Sequence, residues 1–281
     1  VGNITVGGTG KTPVVIALAR FLKEKGWRPG IVSRGYGGKI KHFPYQVHQN
    51  SNAREVGDEP LLIVRHTDCP TVIDPNRSRG VRALLKRAHC NLVISDDGLQ
   101  HSSLGRNIEI IVVDGERRFG NNFCLPAGPL REPTSRLNSV DFVISKENPL
   151  RHEFKLSLIP DHFYQLIQPK IKKTLDYFHG KTLHAVAGIG NPDQFFNSLR
   201  KLNLKIIEHP FPDHYLFKPH DFSYGSDAII IMTEKDAVKC VGFVDARLWC
   251  LNTKTELDTN LLNTVLKRVT TLNNNLKSSS G

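Results

Sequence analysis

The sequence predicts an α/β fold built on parallel sheets, in two parts with a cleft between them, the second part smaller than the first. Three observations carry this. A glycine-rich run, Gly7-Gly8-Thr9-Gly10, opens directly onto a helical stripe. Short continuous apolar runs then alternate with amphipathic segments, the pattern of βαβ units around a mainly parallel sheet. A second alternation begins after residues 147–155, where Pro149 and mixed charges interrupt the pattern. The expected domains are therefore residues 1–150 and residues 151–281, the second closing over the cleft.

The elements follow in order. Residues 14–25 place Val15, Leu18, Ala19 and Leu22 on one helical face, and Gly26 stops the helix. Residues 29–33 read as a short buried strand, and residues 59–66 and 77–88 as helices. Residues 91–95, 108–114 and 141–145 are apolar runs of strand length. In the second half, residues 183–187, 204–208 and 228–232 read as strands and residues 192–202 as a helix. Residues 257–272 make a final helix, followed by an Asn- and Ser-rich tail from Asn273 expected to fray.

Composition narrows the class. Of 281 residues, 39% are hydrophobic and 23% charged, enough apolar material for a core and too much for a disordered chain. Five cysteines without a CxxC pair argue against a disulfide framework or zinc ribbon and favour a reducing compartment. No run approaches the roughly 18 apolar residues of a membrane span, and neither a span nor a signal peptide is expected within these residues. The net charge of +11 suits an anionic partner: nucleotide, phosphorylated substrate, nucleic acid or acidic membrane. No helix-turn-helix, RNA-binding motif or aromatic–basic interleaving supports nucleic acid, so none is expected as partner. The chain opens at Val1-Gly2-Asn3, almost directly on a motif that follows a strand, so a preceding segment is expected.

Thr5-Val6-Gly7-Gly8-Thr9-Gly10-Lys11-Thr12 is the strongest signal. Glycines let the backbone wrap so that its N–H groups meet phosphate oxygens, and the helix N-terminus adds positive dipole. Lys11 reaches the β/γ-phosphates and the Thr12 hydroxyl can hold Mg²⁺. Pro13 suits the first helical turn. The first glycine of GxxxxGK[ST] is replaced by Thr5, with Gly7-Gly8 supplying the freedom. This loop makes the first domain P-loop NTPase-like, with ATP and Mg²⁺ the expected cofactors.

A phosphate loop needs an acidic partner at the end of a neighbouring strand. Residues 92–98, Leu-Val-Ile-Ser-Asp-Asp-Gly, supply Asp96 and Asp97, whose side chains should point opposite ways and serve different roles. Gly57-Asp58-Glu59-Pro60 is a second acidic pair at a helix start: Asp58 reads either as a plain N-cap or as a base or metal-organising carboxylate. Ser33-Arg34-Gly35-Tyr36-Gly37-Gly38 is a flexible loop able to meet an anionic or sugar-like ligand, or an ordinary surface loop. Asp213-His214 sets an acid beside an imidazole titratable near neutrality, and Thr233-Glu234-Lys235-Asp236 is a charged helix start or cleft lining.

Taken together with Leu130-Arg131-Glu132-Pro133 and Ala237-Val238-Lys239, these ordered motifs resemble the tetraacyldisaccharide 4′-kinase (LpxK) family, the lipid A 4′-kinases of Gram-negative bacteria. The resemblance runs from Val1 to about Lys239. It implies two α/β/α domains joined by a hinge, and transfer of the ATP γ-phosphoryl group to the 4′-hydroxyl of a tetraacyldisaccharide 1-phosphate, giving lipid IVA. It implies that Thr5–Thr12 cradle the triphosphate, and that Asp58 receives the hydroxyl proton with His214 in support. Asp96, Asp97 and Glu59, with Thr12, become the metal and γ-phosphate organisers; Arg34, Tyr36, Arg77 and Arg131 become contacts to disaccharide or phosphate. It further implies a lipid A disaccharide precursor as partner, a membrane surface at the cytoplasmic face of the inner membrane, and an N-terminal hydrophobic helix that this chain lacks. The competing reading of GGTGKT is a nucleotide-driven switch or metallocentre-assembly ATPase that acts on a partner protein without a small-molecule acceptor.

Overall fold

The structure, a computed structural model, describes residues 1–240, 242–243 and 245–278. In chain order the first elements are α1 (Lys11–Glu24), β1 (Pro29–Ser33), β2 (Tyr45–Val47), α2 (Ala53–Val56), α3 (Asp58–Thr67), β3 (Thr71–Ile73), α4 (Arg77–Arg87), β4 (Leu92–Ser95), β5 (Ile110–Asp114) and β6 (Phe142–Lys146). Then come β7 (Phe154–Gln165), β8 (Lys172–Lys173), β9 (Thr182–Ala187), α5 (Pro192–Lys201), β10 (Lys205–Pro210), β11 (Ile229–Thr233), α6 (Glu234–Ala237), β12 (Leu248–Leu257) and α7 (Thr259–Ser278). No helix among the described residues is long and apolar enough to cross a membrane.

The chain forms two units of nearly equal length, each discontinuous in sequence. The first comprises Val1–Ser33, Asn76–Ser157 and Thr255–Gly281; the second comprises Arg34–Pro75 and Leu158–Lys254. The sequence expectation of one boundary near residue 150 and a smaller second part differs on three counts: residues 34–75 cluster with the second unit, the C-terminal helix clusters with the first, and the second is not appreciably smaller.

In the first unit β1 is buried along its whole length and pairs in parallel with β4, Pro29↔Leu92 through Val32↔Ser95. β5 pairs in parallel with β6, and β6 with the start of β7. Gly2 bridges Ile111 in the parallel sense, so the glycine-rich loop issues from an extended segment alongside β5. Ile4, Leu99, Ile111, Val113 and Leu130 form the core beneath it. α1 turns Val14, Val15, Leu18, Ala19 and Leu22 inward, and α7 packs against it.

In the second unit β10, β9, β11 and β12 lie side by side, all parallel. Alternation puts Leu183, Ala185 and Ala187 in one cluster with α5 residues Phe195, Phe196 and Leu199, and Val186 in the opposite one with Phe217, Ile230 and Met232. Both faces of the inner strands β9 and β11 are buried, as parallel strands require, while the edge strand β10 stays partly exposed. The 34–75 excursion adds the antiparallel pair β2–β3 with α2 and α3, whose Val56 and Leu61 share a core with Val238.

The predicted helices and strands recur with ends shifted by a few residues, and α7 departs more. It runs to Ser278 through Asn273, Asn274 and Asn275, where fraying was expected; residues 279–281 lie outside the described residues. The sequence reading omitted β2, β3, β7, β8 and β12.

Candidate functional site

The loop in the first unit has the shape its glycines allow. Gly7 sits at φ 92° and Gly10 at φ 96°, the left-handed region open to glycine at no steric cost. Gly10 is the N-cap of α1 and contributes no side-chain cap, and the first turn holds no acid. The first-turn N–H groups therefore carry the helix's positive end without an internal anion. Thr5 is buried and bridges Leu130, while Val6 N–H donates to Pro129 O at 2.9 Å and Arg131 N–H to Ile4 O at 2.7 Å. The Leu130-Arg131-Glu132-Pro133 segment thus braces the loop. Val6, Gly7 and Gly8 are exposed at its crest, Thr9 is buried, and Lys11 and Thr12 are half-buried at the helix start.

Asp96 and Asp97 differ in surroundings, but through the turn after β4 rather than strand alternation, since β4 ends at Ser95. Asp96 is buried and accepts from Ser33 Oγ at 3.0 Å. Asp97, itself left-handed at φ 49°, turns toward the loop. Lys11 Nζ stands 3.4 Å from its Oδ1, and the Arg131 guanidinium donates to both carboxylate oxygens at 3.2 and 3.1 Å. Burial pushes the Asp97 carboxyl up, but Lys11 and Arg131 outweigh it and hold the group below the usual carboxylate range. Arg77, expected at the disaccharide or a phosphate, is 3% exposed and donates to Asp97 O at 3.4 Å, so it braces the acidic turn rather than standing open to solvent.

The second unit assembles the other constellation. Asp58 is the first residue of α3, and Gly57 caps it at φ 91°. A Cβ on Gly57 would lie 2.6 Å from Tyr36 O, so only glycine lets the helix start approach the 34–38 loop. Asp58 is not the N-cap, which is Gly57 without a side-chain cap; its Oδ1 accepts the Glu59 N–H at 2.9 Å, and its Oδ2 lies 3.1 Å from His214 Nδ1. Asp58 is 4% exposed. Burial raises its carboxyl, but the hydrogen bond from His214 and the charge of Lys235 reverse this and hold it below its ordinary value. That hydrogen bond in turn raises the His214 imidazole against the opposing pull of burial and Lys235. An ionised carboxylate only accepts, so Nδ1 donates. Tyr36, 61% exposed, meets the His214 ring edge-on at 5.1 Å. Arg34 is exposed on the same loop.

Lys235, on the first turn of α6, reaches back to these acids: its Nζ lies 3.1 Å from Glu59 Oε1, 3.7 Å from Asp213 Oδ1 and 4.0 Å from Asp58 Oδ2. Burial pulls the ammonium down, but the three carboxylates more than reverse that and keep it charged. The anchor of α6 is internal. Thr233 caps it through the Asp236 N–H, and Asp236 also accepts from Thr233 Oγ1, the Gly188 N–H and Lys239.

Within the first unit, then, Lys11, Asp97 and Arg131 are brought together; within the second, Asp58, Glu59, His214 and Tyr36. Two neighbours of the loop escaped the sequence reading. Arg117 donates to Val6 O at 3.4 Å, and the buried Lys146 packs its stem under Gly10. Burial lowers the Lys146 ammonium. The strand-end position of Lys146 after an apolar run was the available signal; Arg117 had none.

The family model described as tetraacyldisaccharide-1-P 4'-kinase (LpxK) matches residues 1–271. A tetraacyldisaccharide 4'-kinase of Nitrosococcus oceani is 52% identical over 250 residues, 89% of this chain and 73% of that protein. One of Coxiella burnetii is 52% identical over 252 residues (90% and 74%), and one of Methylobacillus flagellatus 48% over 274 residues (97% and 82%). The crystal structure of the "apo" form of LpxK from Aquifex aeolicus in complex with ATP superposes with a TM-score of 0.77 at 28% identity, covering 95% of this chain and 87% of that one. That match agrees with two α/β units carrying a phosphate loop and an acidic turn, and a match over nearly the whole length decides between the acceptor kinase and the switch ATPase. The chain belongs to the tetraacyldisaccharide-1-P 4'-kinase family.

Proposed function

We propose that this kinase moves the γ-phosphoryl group of ATP to the 4′-hydroxyl of a tetraacyldisaccharide 1-phosphate, with Asp58 as the group that receives the hydroxyl proton. The observation that carries the assignment of Asp58 is its buried, ionised carboxylate, held by His214, whose ring meets the exposed Tyr36. Phosphoryl transfer has a loose transition state, so catalysis is alignment and charge neutralisation. Thr5, Val6, Gly7, Gly8, Thr9, Gly10, Lys11 and Thr12 wrap the triphosphate. Lys11 exchanges its contact with Asp97 for phosphate oxygens, and Arg131 keeps Asp97 in place as it does so. His214 fixes the rotamer and charge of Asp58. Arg34 and Tyr36 offer a cation and a ring face to the phosphorylated sugar, while Arg77 acts through the turn that it braces.

The donors near the loop suit magnesium: a threonine hydroxyl and carboxylates are hard oxygen ligands, and no cluster of three or more His, Cys, Asp or Glu among the described residues competes to hold a metal alone. Thr12, Asp96 and Asp97 would hold the ion, whereas Glu59 is already paired with Lys235 at 3.1 Å within the second unit. Magnesium would neutralise charge on the β- and γ-phosphates. The acceptor carries acyl chains, so the reaction belongs at a lipid surface, which we place at the cytoplasmic face of the inner membrane.

The test is product analysis with γ-labelled ATP, Mg²⁺ and tetraacyldisaccharide 1-phosphate, using wild type and Asp58→Asn. Label should appear at the 4′ position only when acceptor is present. Asp58→Asn should lower kcat by about 10²–10⁴-fold with ATP affinity unchanged. Acceptor-independent ATP hydrolysis at the same rate would overturn the kinase reading, and near-normal kcat in Asp58→Asn would remove it as the base.

A further inference from the structure

We propose that Lys235 is a positioning residue for the acceptor step: its ammonium draws the carboxylates of Asp58, Glu59 and Asp213 onto one cation and so fixes the Asp58–His214 pair. The inference rests on the reading of Asp58 as the base.

Four separate stretches of chain meet at this point. Asp58 and Glu59 come from the start of α3, Asp213 and His214 from the turn after β10, Lys235 from α6, and Tyr36 borders the imidazole from the loop after β1. The contacts close into a ring. Asp58 Oδ2 takes His214 Nδ1 at 3.1 Å, His214 Nε2 faces Asp213 Oδ2 at 3.7 Å, Asp213 Oδ1 faces Lys235 at 3.7 Å, and Lys235 returns to Asp58 at 4.0 Å and Glu59 at 3.1 Å. Remove Lys235 and three carboxylates share one imidazolium. Their mutual repulsion then turns Asp58 or Asp213 away, and His214 can follow either acid.

The neighbouring lysine cannot substitute: Lys239 is committed to Asp236 at 2.7 Å and to Gly188 O at 3.0 Å. The side chain also has the right shape. An ammonium is a compact charge with three rotatable donors on a flexible stem, suited to three acids in different directions, whereas a guanidinium presents its donors in a rigid planar fork. The backbone of His214 is held at φ 59°, a conformation that β-carbon residues adopt at a cost and that persists only where surrounding contacts determine it. The ring of charges is such a set of contacts.

The test compares Lys235→Met, Lys235→Arg, Asp58→Asn and the double variant Lys235→Met/Asp58→Asn, each as the full chain, by kcat, KM for both substrates and Tm. Lys235→Met should lose about 10²-fold in kcat, the scale of a 1 Å misplacement, with KM for Mg-ATP unchanged. Lys235→Arg should recover part of the loss. In the Asp58→Asn background Lys235→Met should cost nothing further, because a residue acting through Asp58 has nothing left to position. Wild-type kcat in Lys235→Met, or the same 10²-fold loss repeated on top of Asp58→Asn, would overturn the proposal while leaving Asp58 as the base. Wild-type kcat in Asp58→Asn would instead sink the base reading itself. If Lys235→Met lowers Tm enough to obscure kcat, Lys235→Gln takes its place and is judged by the same two criteria.

Discussion

His214 donates Nδ1–H to Asp58 Oδ2 at 3.1 Å from a left-handed backbone, while the other face of the same imidazole looks toward Asp213 at 3.7 Å. A histidine pressed into that conformation and into two carboxylates is organised for charge, since its protonated form satisfies both. Asp58, with 3% of its side chain exposed, has far less access to solvent than Asp213 at 37%, so it is the partner that feels the imidazolium most.

The pair makes stability depend on pH in a defined window. His214 is raised above 6.5, so its contribution is complete below 6.5 and fades as pH climbs through the higher folded value. Asp58 is depressed below 3.8, so its contribution is complete above 3.8 and fades as pH falls through the lower folded value. His214→Ala should therefore cost most between about pH 3.8 and 6.5, measured by urea denaturation across pH. In an NMR titration the His214 ring should titrate above 6.5 in wild type and lower in Asp58→Asn. A His214 value unmoved by Asp58→Asn would show that the hydrogen bond does not govern its charge.

Lys11 is the phosphate-loop residue whose charge is already committed within the fold, to Asp97. Lys11→Met should lower turnover by about 10²–10³-fold, the usual cost of removing one preorganised charge from a transition state. It should also raise the Asp97 carboxyl, since Lys11 is the largest of the influences opposing burial there. Unimpaired turnover would remove the loop from the donor site.

What was legible in the sequence followed from patterns that declare themselves locally. Continuous apolar runs announced β4, β5 and β6, and GGTGKT placed the start of α1 within a few residues. β7 was hidden because Pro160 and Asp161 interrupt its apolar residues, and β12 because Leu248–Leu251 is followed by alternating Asn, Thr, Lys and Glu. In both, sheet neighbours override a weak local pattern. The units were hidden for a different reason: no composition break marks residue 34, and only long-range pairing joins 34–75 to the C-terminal half. Of the site, Asp58 and His214 were visible as residue types at a helix start and in a stiff turn. Their hydrogen bond spans 156 residues of sequence, and no spacing rule reaches that far.

Gly57 tests how closely the helix start must approach the 34–38 loop. Gly57→Ala adds a Cβ 2.6 Å from Tyr36 O, a backbone atom that cannot swing aside, at a φ of 91°. The backbone penalty alone, at φ 91° and ψ 152° where essentially only glycine sits, is about 1–3 kcal/mol, and relief of the clash would displace Asp58 or Tyr36. A lower Tm with kcat reduced beyond what the loss of folded protein explains is expected. Full activity at a lowered Tm would mean that the contact serves stability only.

Lys239 and Asp236 form the most deeply buried ion pair at the base of this region, 2.7 Å apart with side chains 2% and 0% exposed. Charges removed from water are costly, and the pair is supported by further bonds: Asp236 Oδ2 also accepts from Gly188 N–H and Thr233 Oγ1, and Lys239 donates to Gly188 O, while Asp236 Oδ1 has the Lys239 charge alone. Deleting the lysine leaves a buried carboxylate short of its counter-charge, which costs about 3–5 kcal/mol. Lys239→Met should therefore lower the free energy of unfolding by that amount in urea. Lys239→Met/Asp236→Asn should recover much of it, because an amide keeps an acceptor for Gly188 N–H without a stranded charge. Both variants should retain the Asp58–His214 hydrogen bond, which belongs to other elements, so the His214 titration should stay above 6.5. If Lys239→Met unfolds no more easily than wild type, the pair does not anchor α6 and the account of how Lys235 is aimed at the acids has to be rebuilt.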